Sequence, residues 1–122
     1  MAGQIQSLGG ISSKRQLGHS PRLQPDTFDT NLKLLQALQG FAQRKGCTQA
    51  QLAINWLRCQ SKRKGNPEII PIPGARSAER VRENGAIIDL TENDLAEIDG
   101  LLAKFPIAGA RVGGPMAKYA EL

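Results

Sequence analysis

The chain has 122 residues, with sixteen lysines and arginines against eleven aspartates and glutamates, a formal charge of +5. Apolar residues make up 40% and aromatic ones 4%, enough for one small core with few large anchors. This length excludes a complete (β/α)8 barrel, which needs about 200 to 250 residues, and no run approaches the roughly 18 to 20 unbroken apolar residues of a membrane helix.

Residues 1–25 are rich in Ser, Gly and Gln and hold Lys14, Arg15 and Arg22 without an acid. A targeting helix would suit that composition, but Gly3, Gly9, Gly10 and Gly18 interrupt it, each costing about 1 kcal/mol in a helix interior. An irregular loop segment is expected. His19, the single histidine, lies in that loop with no nucleophile or carboxylate at a diagnostic spacing.

From Asp26 the pattern turns helical. Leu34, Leu35, Leu38, Phe41 and Ala42 recur at three- and four-residue spacing and predict an amphipathic helix starting near Asp29 or Thr30. Lys45 suits its C-terminal dipole and Gly46 a left-handed stop. Thr48 and Gln51 form a T-x-x-Q capping box for a second helix, whose apolar stripe is Leu52, Ala53, Trp56 and Leu57. Ser61 to Pro67 is a polar turn cluster that ends it.

Ile69-Ile70-Pro71-Ile72 is short, β-branched and bracketed by turn residues, and reads as one buried strand, at an edge or bulged because Pro71 lacks an N–H. Ser77 is then a good N-cap for a helix from Ala78. The order is strand, Gly-containing turn, helix N-terminus, with Arg76 and Arg80 at the start. Free backbone N–H groups and the helix dipole attract an anion there, and guanidinium groups add charge-assisted contacts. Glu83 and Asn84, one turn on, could meet a base edge or a ribose. An ordinary strand-to-helix turn with a solvated Arg/Glu face has the same spacing. Thr91 and Asp94 resemble a capping box for a last helix, with Leu95, Ile98, Leu101 and Leu102 as its stripe and Phe105-Pro106 as its end.

Cys47 and Cys59 are neither a disulfide framework nor a zinc spacing, so free thiols in a reducing compartment, the cytoplasm, are expected, and no metal site. Basic residues never run beyond Lys62-Arg63-Lys64, and Trp56 and Tyr119 are not interleaved with them as stacking platforms. Neither a nucleic-acid nor a membrane partner is expected.

Three stretches resemble one family. Lys45 to Leu57 is similar to the "KKGxTPAQLALAWL" helix of aldo-keto reductases. Ile70-Pro71-Ile72-Pro73-Gly74-Ala75-Arg76, with Glu79-Arg80 and Glu83-Asn84, is similar to their "IIPIPGxRxxERxxEN" turn, and Leu90 to Asp99 to their "LTxEDLxxID" helix. Gly3 to Ser7 and Pro21 to Pro25 resemble the long loop after the seventh barrel strand in fungal-type members close to the pyridoxal reductases.

The resemblance implies an α/β fold, the C-terminal fragment of a (β/α)8 TIM barrel, mostly helical with one strand at 69–72. It divides the chain into a loop segment 1–25, a reductase part 26–104 and a C-terminal tail 105–122. It implies an NADP(H)-dependent enzyme that reduces a small-molecule aldehyde or ketone to an alcohol. The Tyr, Asp, Lys and His that do the acid–base work in the family sit upstream of the matched motifs, and neither Tyr119 nor His19 matches them. No catalytic residue is therefore expected here, and the isolated chain is expected to be inactive. The cofactor positions that transfer are Gly74, Ala75 and Arg76 at the turn, Arg80 on the phosphate or adenine face, and Glu83 and Asn84 toward the adenine. Many members have Lys-Ser where this chain has Gly74-Ala75, which shifts the phosphate charge onto Arg76 and Arg80 and leaves NADP favoured over NAD. The alternative is a non-catalytic, truncated or split-gene product, a binding module or a poorly folded piece that self-associates through its open strand.

Overall fold

Local capping residues define most of the architecture. A computed structural model describes residues 25–109, and the expectations for the front loop, His19, the rest of the tail and Tyr119 lie outside the described residues. Within them the chain forms four helices: α1 (Pro25–Lys45), α2 (Gln49–Gln60), α3 (Ala78–Gly85) and α4 (Glu92–Lys104).

α1 starts at Pro25, a turn ahead of the predicted Asp29 or Thr30. Proline fits a first helical turn because its missing N–H would have no carbonyl partner there, and Asp26 complements the dipole. Phe28, buried in this extra turn, supplies a hydrophobic reason for it. At the other end Gly46 has φ 76°, its N–H bonds the Gln43 carbonyl at 3.1 Å and the Cys47 N–H bonds the Ala42 carbonyl at 3.0 Å. That pair of bonds is a Schellman stop, and it needs the left-handed residue that glycine supplies.

The capping boxes form as predicted. Gln51 N–H donates to Thr48 Oγ1 (3.1 Å) while Thr48 N–H donates to Gln51 Oε1 (3.0 Å). Asp94 N–H donates to Thr91 Oγ1 (3.1 Å) and Thr91 N–H to Asp94 Oδ2 (2.9 Å).

The fold divides into two units, Leu38–Gly100 and the residues on either side of it. In the flanking unit Phe28 and Leu34 are buried, and the Asn31 side chain brackets one peptide: it accepts from Ala108 N–H (2.8 Å) and donates to the Ala108 carbonyl (2.9 Å). In the central unit Phe41, Ala42, Leu52, Leu95 and Ile98 are buried. Three ion pairs secure α4 there: Arg44 with Glu97, Lys45 Nζ with Asp94 Oδ2 (2.5 Å), and Arg63 Nη2 with Asp99 Oδ2 (2.8 Å).

The Lys45–Asp94 pair is the least exposed of the three. The Lys45 ammonium, then the Thr91 N–H, holds the Asp94 carboxyl below its ordinary range. A folded-state pKa below the unfolded one contributes stability above the unfolded pKa, lost as pH falls through the folded value. Lys45→Met should therefore lower stability by about 1 kcal/mol near neutral pH, and this deficit should shrink on acidification, as read from urea midpoints of both proteins between neutral and acidic pH.

The predicted strand at 69–72 does not form. A strand is held by a neighbouring backbone, and among the described residues no strand lies beside this one. The Ile69 N–H instead donates to Ser61 Oγ (2.7 Å), and the Ser61 hydroxyl lies 3.2 Å from the Ile69 carbonyl. Pro67, Pro71 and Pro73 have no N–H to offer. The segment runs extended and exposed rather than buried, with Ile70 and Ile72 at 75% and 92% exposure. The mostly helical part of the fold expectation holds; the strand is corrected to an extended segment pinned at Ser61.

The stripe of α2 is also rotated from its prediction. Leu52 is buried and Trp56 half-buried, but Ala53 and Leu57 are exposed, and Asn55 and Gln60 are buried instead. Asn55 is 2% exposed because its side chain is fully employed. Its Nδ2 donates to the Gln51 carbonyl (2.8 Å) and the Ala86 carbonyl (3.0 Å), and its Oδ1 accepts from Ile88 N–H (3.1 Å) and Arg58 Nη1 (3.2 Å). A buried amide so satisfied costs little to bury and fixes the chain leaving α3 against α2.

Candidate cofactor-binding turn

Residues 74–84 combine backbone, cap and arginines at one helix start. Ser77 is extended (φ −146°, ψ 157°) and its Oγ accepts from Arg80 N–H at 3.2 Å. Val81 N–H donates to the Ser77 carbonyl at 3.1 Å, the first helical bond. The N–H groups of Ala78 and Glu79 precede it and have no helical carbonyl to meet. α3 is therefore capped but keeps donors at its N-terminus, the arrangement that suits an anion.

The structure places all six predicted residues on this turn. Gly74, Ala75 and Arg76 are exposed on the approach to the cap. Asn84 folds back, its Nδ2 donating to the Gly74 carbonyl at 3.2 Å, so the two ends of the turn are joined. Arg80 Nη1 meets Glu83 Oε2 at 2.5 Å. Arg76 has no ion-pair partner among the described residues.

The Glu83 carboxylate holds Arg80 across one helical turn. The Arg80 guanidinium first, then the Thr48 hydroxyl, keep its carboxyl below the ordinary glutamate range. Glu79 sits in the first turn, where its charge complements the dipole that an anion would also use. Three arginines (Arg76, Arg80, Arg82) against two glutamates leave the turn cationic. The donor set thus fits a phosphate: two guanidinium groups, first-turn N–H groups and an exposed approach.

Cys47 and Cys59 are free and half-buried, and burial raises the Cys47 thiol pKa, opposed by Lys45, so it is the less reactive protonated form that is favoured. No cluster of metal-ligating side chains occurs among the described residues. No described helix is long and apolar enough to cross a membrane. Sequence reasoning missed Asn55, which anchors the exit of α3; the available signal was an asparagine inside an amphipathic helix, a residue that favours caps and turns unless its side chain has partners.

A model of the Aldo/keto reductase family matches residues 6–103. The chain belongs to this family. Among curated family proteins, "Probable aldo-keto reductase 1" of Glycine max is 30% identical over 103 residues, covering 83% of this chain and 28% of the relative. The chain thus spans little more than a quarter of that aldo-keto reductase's length. No solved structure matches. The family match takes in α1, α2, α3 and nearly all of α4, and with them the whole turn 74–84.

Proposed function

We propose that this chain contributes the NADP(H)-binding turn of an oxidoreductase that reduces an aldehyde or ketone to an alcohol. The observation that carries the reading is the Ser77-capped start of α3 with Arg76 and Arg80 beside it. Family membership supports an oxidoreductase using a nicotinamide cofactor; the arginines support the 2′-phosphate that distinguishes NADP from NAD. The cofactor, when bound, supplies the hydride, and the protein's part is to bind and orient it.

In this reading the backbone at Gly74 and Ala75 approaches the nucleotide. Arg76 and Arg80 meet the phosphate, and Asn84 keeps the turn closed on the adenine side. The general acid and the carbonyl pocket belong to the part of the family fold outside these residues. The placement among fungal-type, pyridoxal-reductase-like members rests on residues 3–7 and 21–25 alone. A second reading, a non-catalytic module, draws on the exposure of Ile70, Ile72, Val81 and Ile87, which would be its contact surface.

The two readings separate on nucleotide discrimination. With the chain expressed in frame behind the preceding part of a family relative, Arg80→Ala should weaken NADPH about tenfold more than NADH, on the scale of one charge-assisted hydrogen bond discounted for exposure. Titration of both nucleotides by fluorescence checks this. Equal losses, or none, would defeat the phosphate assignment.

A further inference from the structure

We propose that the Asn84-Gly85 peptide is a self-modification site, where the chain closes a succinimide, loses ammonia and so opens the 74–84 turn. The chemistry is that of this chain alone and holds whichever ligand the turn takes. Asn31, Asn55, Asn66 and Asn93 precede Leu, Trp, Pro and Asp, and only Asn84 precedes a glycine.

The placement leaves that peptide open to reaction. Asn84 and Gly85 are the last two residues of α3, where the helical ladder ends and frays. The next N–H, that of Ala86, bonds the Glu83 carbonyl at 3.3 Å, and Ala86 is already extended (φ −66°, ψ 132°). The Asn55 anchor begins only at the Ala86 carbonyl, beyond the reacting peptide. Gly85 is exposed, and a Cβ built on it would meet nothing within 4 Å, so there is open space beside the nitrogen that attacks.

In the first step the Gly85 backbone nitrogen gives up its proton to water and bonds to Asn84 Cγ. The Cγ–Nδ2 bond breaks, and Nδ2 leaves as ammonia with a proton from water. Water then opens the ring, at the Cγ–N bond to give aspartate or at the backbone C–N bond to give isoaspartate. In sum an amide and water become a carboxylate and ammonium, with no redox change. Either product lacks the Nδ2 donor that joins Asn84 to the Gly74 carbonyl at 3.2 Å, and sets a carboxylate oxygen against that carbonyl. The ammonia is not regained, so a molecule that has reacted does not recover the closed turn.

The test incubates the 122-residue chain at neutral and mildly alkaline pH. Conversion is followed by ammonia release and by peptide mass, with fragmentation that separates Asn84 from Asn93. Asn84 should convert ahead of the other asparagines, and faster at the higher pH because the attacking nitrogen must lose its proton. Asp99-Gly100 has no side-chain amide and adds nothing to the ammonia signal. Gly85 lies outside the left-handed region, so Gly85→Ala fits the fold and should slow conversion about tenfold by restricting the backbone at the attacking nitrogen. Asn84→Asp reproduces one product and should speed tryptic cleavage after the exposed Arg76 about 2- to 10-fold, the scale of one hydrogen bond. Conversion at another asparagine as fast as at Asn84, or an unchanged rate in Gly85→Ala, would overturn the site. Equal cleavage after Arg76 in the unsubstituted and Asn84→Asp chains would overturn its effect on the turn.

Discussion

The purified 122-residue chain will not oxidise NADPH with any aldehyde or ketone above a protein-free blank. A positioned general acid contributes about 10²- to 10⁴-fold to a proton-coupled step, and the resemblance puts the family's Tyr, Asp, Lys and His outside the matched motifs. The chain has one tyrosine, Tyr119, and one histidine, His19, and neither matches them. In the proposed reading the turn at 74–84 holds one end of a dinucleotide, but binding that lacks a transition-state interaction does not accelerate the step. Steady absorbance loss at the NADPH band, abolished by Tyr119→Phe, is the result that would reverse this expectation and give Tyr119 a catalytic role.

The second large effect is on stability. Asn55→Leu should lower the unfolding free energy by about 3 kcal/mol, because the Ala86 carbonyl and the Ile88 N–H lose their partner, at about 1 to 3 kcal/mol for each unsatisfied group. Leucine is close in size, so the loss comes from hydrogen bonds rather than from a cavity. Ser61→Ala, which frees only the Ile69 peptide at a half-exposed position, should cost less than half as much. Urea denaturation followed by circular dichroism ranks the two. A larger loss for Ser61→Ala would place the main anchor on the extended segment instead of on α2.

What the sequence made legible was local. Thr48 with Gln51, Thr91 with Asp94, Ser77 and Gly46 each act within a few residues of themselves, so spacing alone identifies their bonds. The family, too, was legible in three ordered motifs, because their residues lie in helices and a turn with fixed spacing. The segment at 69–72 was not, since β-branched composition describes a residue's preference and a strand requires a second backbone. The rotation of α2 was hidden for a related reason: an apolar count ranks Leu57 above Asn55, while Asn55 has four partners that come from α2 and from the chain after α3. At the turn, three-residue spacing sets Glu83 beside Arg80, a pairing local enough for the spacing itself to carry.

The anchoring of α3 is lopsided. Its exit is tied to α2 through Ala86 and Ile88 on Asn55, whereas between Ile69 and Ser77 the approach to it is exposed but for Pro71. Closing the loop from Gly74 to Asn84 adds no attachment to α2; it only makes the turn and the helix travel together. α3 is thus a cantilever, clamped at its C-terminal end and carrying its arginines on the unsupported one. A small tilt at the clamp would be magnified at the cap, so the reach of Arg76 and Arg80 depends on Asn55, a side chain of α2 at the other end of the helix.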